Sequence, residues 1–146
     1  MSGGPIVPDH KVYVERKIYE EGLAETHEVV LPQPNQLLLD YDTPELPEFF
    51  MERMNVLLQA MKGPVLYQTY QSRHGNRHVI VTLPKELTPE HRIAWQAALG
   101  SDPKREALSL LSMAKGSKNP TLLIHRKDGS DKLSSRMLEP VGRKFR

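Results

Sequence analysis

In LLLDYD, residues 37 to 42, three apolar residues run straight into two carboxylates spaced i and i+2. On a strand that spacing turns Asp40 and Asp42 to one face and Leu37, Leu39 and Tyr41 to the other. Neighbouring carboxylates repel, and a divalent cation or a cationic ligand between them removes the repulsion. Asp40 and Asp42 are therefore candidate ligands for Mg²⁺ or Mn²⁺, a pair suited to holding the ion against a triphosphate. The same residues also fit a strand that has just ended, with both carboxylates solvated in a turn before Pro44. A second cluster stands in SRHGNRH, residues 72 to 78, where Ser72, Arg73, His74 and Arg77 surround Gly75. Such a bend can turn backbone N–H groups and cations toward a phosphate, and it equally describes a plain polar hairpin. His78, at the end of this cluster, could hydrogen-bond a phosphate oxygen or transfer a proton.

The elements around these residues decide whether they meet. VLYQTYQS (65 to 72) and RHVIVTL (77 to 83) are β-rich runs on either side of the His74-Gly75-Asn76 turn, which predicts a hairpin. Between LLLDYD and the hairpin, Phe50, Met54, Leu57, Leu58 and Met61 recur at helical spacing, with Pro44 or Pro47 in the first turn and Gly63 closing the helix. A second helical region starts at Thr88-Pro89-Glu90, breaks at Gly100 and restarts with Ser101 or Asp102 as cap. TLLIHRK (121 to 127) reads as a last strand, while KVYVERKIY (11 to 19) and HEVVLP (27 to 32) read as earlier ones.

The order β-α-β-β-α-β over residues 37 to 127 predicts an α+β fold with a ferredoxin-like, RRM-like core. In that arrangement the LLLDYD strand lies between RHVIVTL and TLLIHRK, both helices cover one face, and the other face stays open to a ligand. Residues 1 to 36 form an N-terminal extension with one or two strands, and residues 128 to 146 a basic, irregular tail. Alternation sends Val79, Val81 and Leu83 to the core, so Asp40, Asp42 and His78 are expected to converge on the open face, flanked by His125 from the last strand.

Composition bounds the function. The 146 residues suffice for one domain with its own core, and the absence of cysteine excludes thiolate metal sites and disulfides. No stretch has the length of a membrane span, and the N-terminus lacks a signal peptide's basic and apolar regions, so a cytoplasmic protein with no membrane partner is expected. The net charge of +2 is uneven: residues 126 to 146 carry seven Lys or Arg against three acids, a tail able to touch phosphates or simply to stay solvated.

The pair LLLDYD and SRHGNRHVIV resembles the archaeo-eukaryotic primase superfamily, which includes primase-polymerases of phages and plasmids. The resemblance covers about residues 35 to 127. It implies that Asp40 and Asp42 bind the catalytic Mg²⁺ or Mn²⁺ and that Ser72 and His78 contact the incoming nucleotide's phosphates, beside the candidate phosphate bend of Arg73, Gly75 and Arg77. The family also has a third acid on a later strand facing the first two, and no hydrophobic run ending in Asp follows residue 83 here; Asp128 substitutes only if the TLLIHRK strand extends to it, His125 is the alternative ligand, and a partner chain is a further source. The spacing departs from the family's pattern, since Gly75 lies three residues before His78 and His74 occupies the place where Ser often stands. The activity so implied is nucleotidyl transfer from a nucleoside triphosphate onto single-stranded or primed DNA in replication or repair. The competing expectation is a non-catalytic nucleic-acid-binding or accessory protein on a related fold.

Overall fold

The computed structural model describes residues 9 to 140. Its elements run α1 (His10–Glu20), β1 (His27–Val30), β2 (Gln36–Tyr41), α2 (Phe50–Met61), β3 (Val65–Gln71), β4 (Arg77–Thr82), α3 (Pro89–Ala98), α4 (Pro103–Ala114), β5 (Leu123–Arg126) and β6 (Lys132–Leu138). The fold is α+β. Four strands form an antiparallel sheet in the order β2-β4-β3-β6, and β1 pairs with β5 in a separate two-stranded ribbon. Among the described residues no helix is long and apolar enough to cross a membrane.

Local signals formed the elements they predicted. The five stripe residues of α2 are its buried residues, and they pack with Leu37, Leu39, Tyr41, Tyr67, Val79 and Val81 into the main core. Phe50 meets the rings of Tyr41 and Tyr67 edge-on. The Thr88 hydroxyl accepts from the His91 amide and the Asp102 carboxylate from the Lys104 amide, each capping a helix with proline in its first turn. At the end of α2 the left-handed residue is Lys62, not Gly63.

Four expectations are corrected. Residues 11 to 19 form helix α1 rather than a strand. Val12 and Tyr13 are about half exposed and only Ile18 is buried, so no sheet face selects the alternation. An i,i+4 pair, Lys11 to Glu15 at 3.2 Å, instead supports the helix.

β5 does not lie beside β2 as the ferredoxin-like order requires; it pairs with β1, in the register Glu28 opposite His125. The physical reason lies on the outer edge of β2, whose backbone groups are already satisfied from α3 and α4. The Leu38 amide donates to Gln96 Oε1 at 2.9 Å and the Asp40 amide to Ser101 Oγ at 2.9 Å. The Asp40 carbonyl accepts from the Asp102 amide at 2.6 Å, the Leu38 carbonyl from Arg105, and the Gln36 carbonyl from Arg92 Nε at 2.8 Å. A sheet edge consumed in this way offers a further strand no ladder.

The tail, in turn, is not irregular throughout, because residues 132 to 138 form β6 on the free edge of β3. The far sheet face is correspondingly covered rather than open. Leu38 and Ile80 pack there with Leu123 of the ribbon, flanked by Val30 and Tyr70, so all three leucines of the LLLDYD run are buried.

Candidate functional site

The site grows from one row across the main sheet. Register pairs Asp40 of β2 with His78 of β4, and His78 with Tyr70 of β3, so these three side chains lie side by side on the face toward the ribbon. β5 lays His125 over the row. His78 Nε2 is 3.4 Å from Asp40 Oδ1, His78 Nδ1 is 3.2 Å from His125 Nε2, and the His125 ring stacks on Tyr70 with centroids 4.2 Å apart. Both histidines are buried. The 3.4 Å contact is too loose to satisfy the carboxylate, and Asp40 Oδ1 is a buried oxygen without a hydrogen-bond partner.

Electrostatics set the charge of each member. Burial works against ionisation of Asp40, but His78 and the Arg105 guanidinium outweigh it and hold the carboxyl below its ordinary range. Burial, reinforced by His78 and opposed by Asp131, pushes His125 down to about 4, so its ring is neutral at neutral pH. Burial and the Asp131 carboxylate raise the Tyr70 hydroxyl.

Asp40 and His78 line a cleft of about 250 Å³. The β3–β4 turn contributes Ser72, Arg73, His74 and Asn76; α1 contributes His10; α4 contributes Arg105 and Ser109; and Pro120, Leu122 and Ile124 make an apolar wall. The turn is held by its own bonds. The Ser72 amide donates to the Asn76 carbonyl at 2.8 Å, Ser72 Oγ accepts from the Asn76 amide at 2.8 Å, and Gly75 takes a left-handed φ of 85°. That leaves the Ser72 hydroxyl proton and the neighbouring cations for a ligand. Arg73 meets Glu21 at the end of α1 at 3.1 Å, a half-exposed pair that an anion can displace.

Of the residues singled out in the sequence, Asp40, Ser72, Arg73 and His78 share this cleft. Gly75 shapes the turn without lining it. Arg77 points elsewhere: its guanidinium donates to the Pro44 carbonyl at 2.8 Å and its amide to the Thr43 carbonyl at 2.8 Å, pinning the bend that carries Asp42. Asp42 is exposed in that bend, two residues beyond Asp40 and outside the cleft lining. His125 reaches Asp40 only through His78. Asp128 is fully exposed, and its carboxyl is lowered by the Ser130 amide and the Arg126 side chain.

Asp102, a helix cap by its place in the sequence, is a further acid close to Asp40. Its amide bond to the Asp40 carbonyl sets it against the β2 edge, while its carboxylate caps α4. Among the described residues no three His, Asp or Glu side chains already surround one ion position.

Arg105 and Ser109 were also missed in the sequence. The sequence carries no signal for them, because α4 buries Glu106 and Ser109 while leaving Leu108, Leu110 and Leu111 about half exposed, the reverse of an ordinary amphipathic helix. No protein-family model, no curated protein and no solved structure matches the chain.

Proposed function

We propose that the protein is a primase-polymerase-like nucleotidyltransferase that adds nucleotides from a nucleoside triphosphate onto single-stranded or primed DNA with Mg²⁺ or Mn²⁺. The observation that carries this reading is the cross-strand pair Asp40 and His78, in register and joined in one cleft by Ser72 and Arg73. The order β2-β4-β3 supports it as well, since it keeps three neighbouring strands of the expected four. A fold of this kind by itself carries no function.

Within the cleft one carboxylate, Asp40, is available to a divalent cation, whose remaining positions substrate phosphates and water would fill. Asp40 contributes the unpartnered buried oxygen, with Asp42 two residues on and Asp102 bonded to the Asp40 backbone. Mg²⁺ commonly takes one or two carboxylates together with substrate phosphates and water. When bound, it would activate the attacking 3′-hydroxyl and stabilise the leaving pyrophosphate. The chain's own residues bind and orient. Arg73, His74 and the Ser72 hydroxyl offer donors to the triphosphate, and His78 Nε2 faces the same space from beside Asp40. Arg105 lines the cleft with its guanidinium committed to the Glu106 carboxylate and to the Leu38 and Leu122 carbonyls, so it braces the β2 edge beneath Asp40. The wall of Pro120, Leu122 and Ile124 excludes water from that side.

The test is incorporation of labelled nucleotide onto primed and unprimed single-stranded DNA with either metal. Wild type is compared with an Asp40→Asn, Asp42→Asn double variant and with Asp102→Asn. Activity that vanishes in the double variant is the expected result. An inert wild type whose melting temperature responds to neither metal nor triphosphate removes the catalytic reading and leaves a binding or accessory role.

A further inference from the structure

Helix α4 turns apolar side chains outward where a core helix would turn them in. Leu108 and Leu111, one turn apart, are each about half exposed, and so is Tyr13 of α1. These three side chains line a groove of about 640 Å³ between α1 and α4, and His10 lines both this groove and the Asp40 cleft. The charge of the groove is one-sided. Lys115 and Lys118, at the C-terminal end of α4, line it, are exposed, and make no ion pair among the described residues. The one acid in the lining, Asp9, is already occupied by the Ser117 hydroxyl at 2.8 Å, the Asn119 side-chain amide at 2.7 Å and the Lys118 amide at 3.2 Å.

Both walls are helices whose backbone bonds are internal, so an occupant gains no ladder from them and must satisfy its own backbone, as an α-helix does. Leu108 and Leu111 form an i, i+3 ridge of the kind against which a second helix packs. We propose that the α1–α4 groove docks an acidic amphipathic helix of a partner protein, with its apolar side chains over Leu108, Leu111 and Tyr13 and its carboxylates toward Lys115 and Lys118. A second copy of this chain fits poorly. Antiparallel pairing of α4 about Leu108 and Leu111 sets Lys104 opposite Lys115, and parallel pairing sets each lysine opposite itself. A lipid surface is flat, whereas this floor is recessed between two helices. The inference does not rest on the proposed function.

Fluorescence anisotropy tests it with a labelled helical peptide carrying leucines at i, i+3, i+4 and i+7 and glutamates between them, compared with the same peptide bearing lysines in place of the glutamates. The glutamate peptide is expected to bind the whole chain, more weakly as salt rises, and the lysine peptide is not. Its affinity should fall about tenfold or more in Leu108→Gln, Leu111→Gln. In Lys115→Glu, Lys118→Glu the preference should pass to the lysine peptide, and this exposed pair decides alone if the leucine variant does not fold. No binding of the glutamate peptide by wild type, equal binding of both peptides, or an affinity that neither variant changes overturns the inference. Dimerisation in light scattering, or co-sedimentation with phosphatidylserine vesicles, that Leu108→Gln, Leu111→Gln abolishes also overturns it, because the occupant is then a second copy or a lipid surface.

Discussion

Acidification from pH 7 to pH 5 tests how firmly the fold buries a neutral His125. The ring faces His78 of β4 and Tyr70 of β3, stands opposite Glu28 of β1, and feels the Asp131 carboxylate. Burial pushes it from 6.5 in the unfolded chain to about 4 in the folded one. As pH falls below that unfolded value the unfolded chain takes up a proton that the folded ring refuses. The unfolded state then binds more protons, and stability drops. With those two values the loss between pH 7 and pH 5 is about 2 kcal/mol, rising to about 3 kcal/mol by pH 4. Asp9 and Asp40, whose carboxyls are held low, lose their contribution only as pH falls below the ordinary carboxylate value near 3.8, outside the first window. His10, also lowered by burial, acts with the same sign as His125, so a His10→Gln background separates the two. The assay is urea unfolding at pH 7, 6 and 5 for that background with and without His125→Phe. The expected result is a pH dependence flatter by about 2 kcal/mol in the Phe variant. Equal pH dependence in the two proteins would refute the burial argument.

Other perturbations separate the scaffold from the site. Gln96→Leu strips the partner from the buried Leu38 amide and from Glu106 Oε1, and urea unfolding should report a loss of about 2 to 4 kcal/mol. Gly100→Ala forces a side chain into a left-handed φ of 80° against the Phe49 ring, so a fall in melting temperature is expected, corresponding to about 2 kcal/mol or more. Leu57→Ala, at a fully buried position under the sheet, should cost about 2 to 5 kcal/mol by the same unfolding measurement. Arg73→Gln loses only a half-exposed pair with Glu21, so the free protein should change by less than about 1 kcal/mol. Its thermal stabilisation by a nucleoside triphosphate should nevertheless shrink, and an undiminished shift would remove Arg73 from the phosphate site.

What the sequence determined by itself is what short-range physics decides. The α2 stripe, the hairpin around Gly75 and the capped starts at Thr88 and Asp102 depend on residues within a turn or two of one another, and each formed where its spacing indicated. Alternation along β2 and β4 was enough to bring Asp40 and His78 to one face, because a strand pair in register leaves no other choice. Partner choice was not legible. β5 and β6 are short runs that could have joined either edge of the sheet, and the outcome turned on β2's edge being taken by Gln96, Ser101, Asp102 and Arg105, some 60 residues away in the chain. The same contacts set Asp102 beside Asp40 and sent β5 to the ribbon, which carried His125 onto His78 from above rather than toward Asp42. Only tertiary structure could decide this, because an unsatisfied strand edge accepts any well-aligned donor or acceptor, and which one arrives depends on the packing of whole helices and not on the strand's own residues.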